Sequence, residues 1–191
     1  EEITSIGLTT NEELDEIFSR ARKSSNKFNH SKLSTRKKII KKFRKAIATH
    51  TQDLIDTICL ETGKKEIEGL MEVFISLEHL QESLKNLNNS LGKQARRSGI
   101  LKTKKVWVEY EPYGVACIIS PWNYPLILTM TPLIEALLAG NSVILKSSEH
   151  TPLTTKLLKK IWDDSTNCSD LLQIVYGTGE IGRKLVKSKF T

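Results

Sequence analysis

Three short stretches hold residues whose types and spacing could do chemistry. In Ser120-Pro121-Trp122-Asn123-Tyr124-Pro125, two prolines bracket a tryptophan and an asparagine. The prolines fix the backbone direction, and an amide side chain held rigidly there is suited to donating its N–H₂ to a developing oxyanion. Asn123 could equally be a turn residue capping the next helix; spacing leaves both readings open. In Lys146-Ser147-Ser148-Glu149, a lysine and a carboxylate leave the same segment. Such a pair can chelate neighbouring ribose hydroxyls, the ammonium donating and the carboxylate accepting; as an anonymous ion pair it is worth little. Gly177-Thr178-Gly179-Glu180-Ile181-Gly182 is a literal G-x-G-x-x-G. It could hold pyrophosphate at a helix start, or be a tight turn that lets helix and strand pack closely. The dinucleotide motif normally opens its βαβ unit and has an acidic residue about 20 positions later, whereas only nine residues follow Gly182.

The elements that must position these stretches read in two halves. Residues 10–91 carry helical periodicity. Thr10 or Asn11 can cap a first helix, Ser34 a second, and a third over residues 51–62 stops at Gly63. A long fourth places Ile67, Leu70, Met71, Phe74, Leu77, Leu80, Leu84 and Leu87 at three- and four-residue spacing, a stripe expected to be core. Residues 88–105 read as a loop, and 106–111 alternate as a strand ended by Pro112. From there the pattern is strand, helix, strand, helix, strand. The strands are 115–119, 142–145 and 172–176, apolar enough to be covered on both faces. Helices are expected over 125–139, bent by Pro132 and stopped by Gly140, after Thr151-Pro152, and over 180–188. This predicts an α/β fold: a helical amino-terminal arm followed by a partial Rossmann-like, doubly wound parallel sheet. Ligands in such sheets sit outside the carboxyl ends of the strands, where the three stretches lie.

Composition narrows the class. Apolar residues make up 39% and charged residues 27%, which fits a globular chain. No apolar run approaches the length of a bilayer-crossing helix. Cys59, Cys117 and Cys168 are spaced neither as a disulfide framework nor as a zinc site, which points to a reducing, cytoplasmic setting. The formal net charge is +7. Residues 1–105 hold 21 Lys and Arg against 14 Asp and Glu, and 106–191 hold eight of each. The surplus peaks at 36–45, where seven of ten residues are basic. The one aromatic residue of the run, Phe43, belongs to the apolar stripe and is not among the charges to stack on bases, so the basic residues read as the wet face of a helix whose buried stripe is Ile39, Ile40, Phe43 and Ile47, and neither nucleic acid nor membrane is an expected partner.

Taken together, the stretches resemble the aldehyde dehydrogenase superfamily. Residues 114–125, GVACIISPWNYP, resemble its strand and PWN(F/Y)P signature; residues 136–149, ALLAGNSVILKSSE, followed by Thr151-Pro152, resemble its AALAAGN-x-VVLKPSE-x-TP stretch; Glu61-Thr62-Gly63-Lys64 with Glu72-Val73 resembles its ETGK…EV helix pair. The resemblance spans essentially the whole chain. It implies NAD(P)-dependent oxidation of an aldehyde to a carboxylic acid through a cysteine thiohemiacetal and thioester. Asn123 matches the oxyanion asparagine. Lys146 and Glu149, with Ser148 between them, match the adenosine-ribose segment, and Ser120, Pro121 and Trp122 the nicotinamide and pyrophosphate channel. Gly177 and Gly182 match the wall beside the adenine. NAD is the expected cofactor, since a carboxylate at 149 repels a 2′-phosphate; NADP is possible.

The resemblance further implies a helical arm over 1–100, an oligomerisation strand over 101–112, and a cofactor domain over 113–191 that is incomplete at its carboxyl end. A homodimer or homotetramer is the expected assembly of the full-length protein. The family's nucleophilic cysteine and general-base glutamate lie downstream, so the 191 residues are expected to be inactive alone. The other reading is a truncated, non-catalytic nucleotide-binding fragment. The sequence opens without Met, and a sheet stopped at Phe190-Thr191 would leave an apolar edge unpaired. Two positions depart from the pattern. Ser147 stands where proline is common, which loosens the turn, and Glu135 adds a charge where a small or apolar residue is usual.

Overall fold

A computed structural model of the chain describes residues 6–188; Phe190 and Thr191 lie outside them. Helix α1 (Asn11–Phe28) opens on a reciprocal cap: the Glu13 N–H donates to the Thr10 hydroxyl at 3.2 Å, and the Thr10 N–H donates to the Glu13 carboxylate at 2.8 Å. Helix α2 (Leu33–Thr49) starts two residues earlier than a Ser34 cap requires; its N-cap is Lys32, with no side-chain cap bond. Helix α3 (Thr51–Thr62) ends at Gly63 in the left-handed conformation, φ 70°. Helix α4 (Glu66–Leu91) follows.

The expected loop over 88–105 holds a strand. β1 (Gln94–Arg96) pairs antiparallel with β2 (Val106–Val108), and the strand expected over 106–111 is only these three residues, because its partner is no longer. Beyond it lie β3 (Val115–Ile119), α5 (Ile127–Ala139), β4 (Ser142–Lys146), α6 (Pro152–Thr166), a 3-10 turn, β5 (Leu172–Val175) and α7 (Gly179–Lys187). The strands run parallel in the order β3-β4-β5.

Layering follows from side-chain alternation. Val143 and Leu145 of β4 join a core with α2, α3, α4, α5 and α6, while Ile144 joins a second core with Leu14, Ile17 and Ala21 of α1 and Leu185 of α7. β4 is therefore buried on both faces, and the fold class is α/β. The arm is tied to the strand bases by the Ser25 hydroxyl donating to Gly114 O at 2.7 Å and the Ser142 hydroxyl donating to Ala21 O at 2.8 Å.

Several side chains depart from their expected places. The inward face of α4 is Gly69, Glu72, Val73, Ser76, Leu80, Leu84 and Leu87, whereas Ile67, Leu70, Met71 and Phe74 are exposed. Arg36, counted with the wet face of α2, is buried, and Ile39 is only partly buried. The Arg36 guanidinium donates to Leu138 O, Ala139 O, Asn29 O and the Ser31 hydroxyl, closing the carboxyl end of α5. Glu135 accepts from the Ser83 hydroxyl at 2.7 Å and lies 3.2 Å from His79 Nε2, so its charge joins α5 to α4.

Candidate functional site

The three strand tips are in register. Ile119 lies opposite Lys146, and Lys146 opposite Val175. The ladder continues one step past the strands, with the Ser120 N–H donating to Lys146 O at 3.0 Å and the Ser147 N–H to Val175 O at 3.1 Å. Residues 120–125, 146–149 and 176–182 therefore leave the sheet side by side.

In the first loop Ser120 is buried and its hydroxyl bonds that of Thr129, which donates to Pro125 O at 2.6 Å. Both ends of the proline-bracketed turn are thus pinned. Trp122 and Asn123 are exposed between the pins. The Asn123 side-chain carbonyl accepts from the Tyr124 N–H at 3.1 Å, which takes up its acceptor; among the described residues nothing accepts from its N–H₂. Asn123 does not cap α5. The N–H groups of Leu126 and Ile127 donate instead to the Glu72 carboxylate at 2.7 and 3.2 Å.

In the second loop Lys146 is 4% exposed, and its ammonium reaches the Glu149 carboxylate at 3.1 Å. The Glu149 carboxyl is held below its ordinary range, first by its own backbone N–H and then by Lys146. Ser147 does not loosen the turn. Its buried hydroxyl bonds Thr155 Oγ1 at 3.1 Å and Ser148 O at 3.1 Å, tying the loop to α6. Ser148 is buried, and its hydroxyl accepts from the His150 N–H at 3.2 Å. The His150 and Trp122 rings meet edge-to-face with centroids 6.4 Å apart, joining the two loops. Thr151 stands at the N-cap of α6 but makes no side-chain cap bond. Glu61 does so, accepting from the N–H groups of Leu153 and Thr154 and from the Thr154 hydroxyl at 2.6 Å.

In the third loop a Cβ on Gly177 would stand 2.5 Å from Ile181, so close packing requires this glycine, whereas one on Gly179 would meet nothing within 4 Å. Gly182 faces the stem of Lys146, with the nearest atom 4.0 Å from a built Cβ. Thr178 caps α7. Tyr176, next to Gly177, has its phenol pushed up to about 12 by burial and then by Glu61. Cys117 lies within β3, where burial raises its thiol; burial likewise raises that of Cys168.

Sequence spacing singled out Asn123, Lys146 and Glu149 as candidates but did not give the contacts that Glu61, Lys64, Glu72 and Tyr176 make around them. The one available signal was a carboxylate, Glu72, within the apolar spacing of α4, since a buried charge demands partners.

The model of the aldehyde dehydrogenase family matches residues 1–190, and the chain belongs to that family. It is 31% identical over 160 residues to 4,4'-diaponeurosporen-aldehyde dehydrogenase of Staphylococcus aureus, covering 83% of this chain and 35% of that protein. It is 30% identical over 183 residues to a putative NADP(+) succinate-semialdehyde dehydrogenase of Mycolicibacterium smegmatis, covering 94% and 35%. The chain thus spans about a third of the length of the curated relatives it matches. Among solved structures, glyceraldehyde-3-phosphate dehydrogenase GapN of Methanocaldococcus jannaschii, complexed with NADP, superposes with a TM-score of 0.91 at 21% identity, covering all of this chain and 42% of that one. Substrate-bound AldH of Staphylococcus aureus gives 0.83 at 28% identity, covering 91% and 38%.

Proposed function

We propose that this chain supplies the cofactor loops and the oxyanion donor of an NAD(P)-dependent aldehyde dehydrogenase. The observation that carries the reading is Asn123: its acceptor is used internally, its N–H₂ is left to donate, and it stands on a loop pinned at both ends beside the second strand tip. The residues fit a dinucleotide. Lys146 offers donors and Glu149 an ionised acceptor, as a ribose diol requires. Gly182 leaves space over the Lys146 stem, and Gly179 leaves open space at the start of α7. A bound nicotinamide cofactor supplies the hydride acceptor. In this reading Ser120, Pro121 and Trp122 border it, Ser148 holds the ribose loop in shape, and Gly177 and Gly182 form the adenine wall.

The chemical role of Asn123 is to stabilise negative charge. As an aldehyde carbonyl is attacked, its oxygen becomes anionic, and a donor aimed at that position lowers the barrier. The charge of Glu149 favours NAD, because a 2′-phosphate would face a carboxylate. The exposed hairpin of β1 and β2 is too short to be stable alone and is assigned to contact between copies, in a homodimer or homotetramer of the whole protein. The aldehyde itself is a small molecule, and a cytoplasmic setting is part of the proposal.

Asn123→Ala is the test. NADH formation in the active protein should fall about 100- to 1000-fold in kcat, with NAD affinity by titration calorimetry unchanged. Equal turnover by the variant would sink the oxyanion role, and a parallel loss of NAD affinity would move Asn123 to the cofactor site. NAD binding by the 191-residue chain without any turnover would support its role as the nucleotide-binding part.

A further inference from the structure

The loops that carry Asn123 and Glu149 are followed by helices whose first amides are satisfied from outside. Neither α5 nor α6 has a cap bond from its own N-cap side chain. Each borrows a glutamate from the helical arm, one on either side of the corner at Gly63. Glu72 is 2% exposed, and one of its carboxylate oxygens serves the end of the first loop. One oxygen accepts from the N–H groups of Leu126 and Ile127; the other accepts from Lys64 Nζ at 3.0 Å. Lys64 Nζ also sits 3.8 Å from the centroid of the Tyr124 ring, the side chain next to Asn123. Glu61 serves the second loop through Leu153 and Thr154. Burying a carboxylate costs several kcal/mol and is no general aid to stability. Here it is matched to the positive end of a helix, and the two helices so held are those that continue the two candidate loops.

We propose that Glu72 and Glu61 are positioning residues, Glu72 setting the Asn123 loop and Glu61 the Lys146–Glu149 loop. The proposal rests on the assignment of Asn123 to the oxyanion and of Lys146 and Glu149 to the cofactor. It makes the α3–α4 corner a two-armed brace, which places donor and ribose clamp relative to each other through a single rigid turn.

NMR with amide hydrogen exchange on the 191-residue chain tests the brace without turnover. Glu72→Ala should cut protection of the Leu126 and Ile127 amides by at least about tenfold and shift the Asn123 side-chain N–H₂ signal, while Leu153 and Thr154 keep their protection. Glu61→Ala should do the reverse. Glu72→Gln, which keeps an acceptor, should restore the amides. If Glu72→Ala does not fold, Lys64→Met removes both the contact with the Tyr124 ring and the bond to one Glu72 oxygen while leaving the Glu72 bonds to Leu126 and Ile127, and should still shift the Asn123 signal. Uniform loss of protection, or an Asn123 signal unmoved in every folded variant, overturns the proposal. In the active protein Glu72→Ala should lower kcat on the order of 100-fold, the scale of a misplacement of about 1 Å, with the KM for NAD unchanged. Glu61→Ala should raise that KM and leave kcat alone; effects of both variants on the same constant would also overturn it. If the NMR pattern holds but Asn123→Ala retains full kcat, the oxyanion assignment fails and the brace stands.

Discussion

Glu149 titrates below the ordinary carboxylate range because its own backbone N–H and the Lys146 ammonium both favour the ionised form. A lowered folded-state pKa contributes stability that is present above the unfolded value and is lost as pH falls through the folded one. The side chain is 43% exposed, so solvent screens most of this and the effect on stability is small. The effect on cofactor binding should be visible. NAD affinity measured by calorimetry at stepped pH should stay flat through neutral and mildly acidic conditions and drop only below the carboxylate range. Glu149→Gln should remove that acid limb, and a drop near neutrality would implicate another group. Tyr176 shifts the other way. With its phenol pushed up to about 12, its contribution is complete below the ordinary tyrosine value and is lost as pH rises towards 12. Alkaline difference spectra should show Tyr176→Phe removing a phenol that ionises only as pH rises towards about 12. The types of these residues were legible in the sequence; their shifts were not, because the burial of Tyr176, its approach to Glu61 and the contact of Glu149 with Lys146 arise only in the folded chain.

Helix α5 shows how a whole element depends on residues outside it. Its start is held by Glu72, and its end by Arg36 and Gly140. Gly140 has φ 100°, and a Cβ there would stand 2.5 Å from the Arg36 guanidinium. Gly140→Ala therefore combines backbone strain with a clash, and should destabilise by about 2 kcal/mol or more. The measurement is the urea midpoint at constant m; an unchanged midpoint would show that Arg36 moves aside freely. The Gly140 stop was readable from type and place. That Arg36 belongs to the same cap was not, because the basic run over 36–45 looks uniform and Leu138 O lies 102 residues away.

At the scale of the molecule, the exposed α4 face carries Leu70, Met71, Phe74 and Ile75, beside exposed Tyr124. An apolar face of this kind drives association in water. The 191-residue chain should self-associate on sedimentation, and Met71→Lys with Phe74→Lys should reduce this while changing the unfolding free energy from urea titration by less than about 0.5 kcal/mol. Association unchanged in the double variant would point instead to the β1–β2 hairpin, where Trp107 is also exposed. The sequence by itself determined the three parallel strands, the loops at their tips and the candidate residues Asn123, Lys146 and Glu149, because these follow from local periodicity, turn chemistry and residue type. Only the tertiary structure decided which side of α4 faces inward and what holds the loops. Helix α4 is apolar around much of its girth, so periodicity could not choose a face. The choice fell to Glu72, whose carboxylate meets orphan amides 54 residues along the chain, as Glu61 does at 92. The motif read first as an oxyanion loop is, in the folded chain, half of a pair held from the α3–α4 corner.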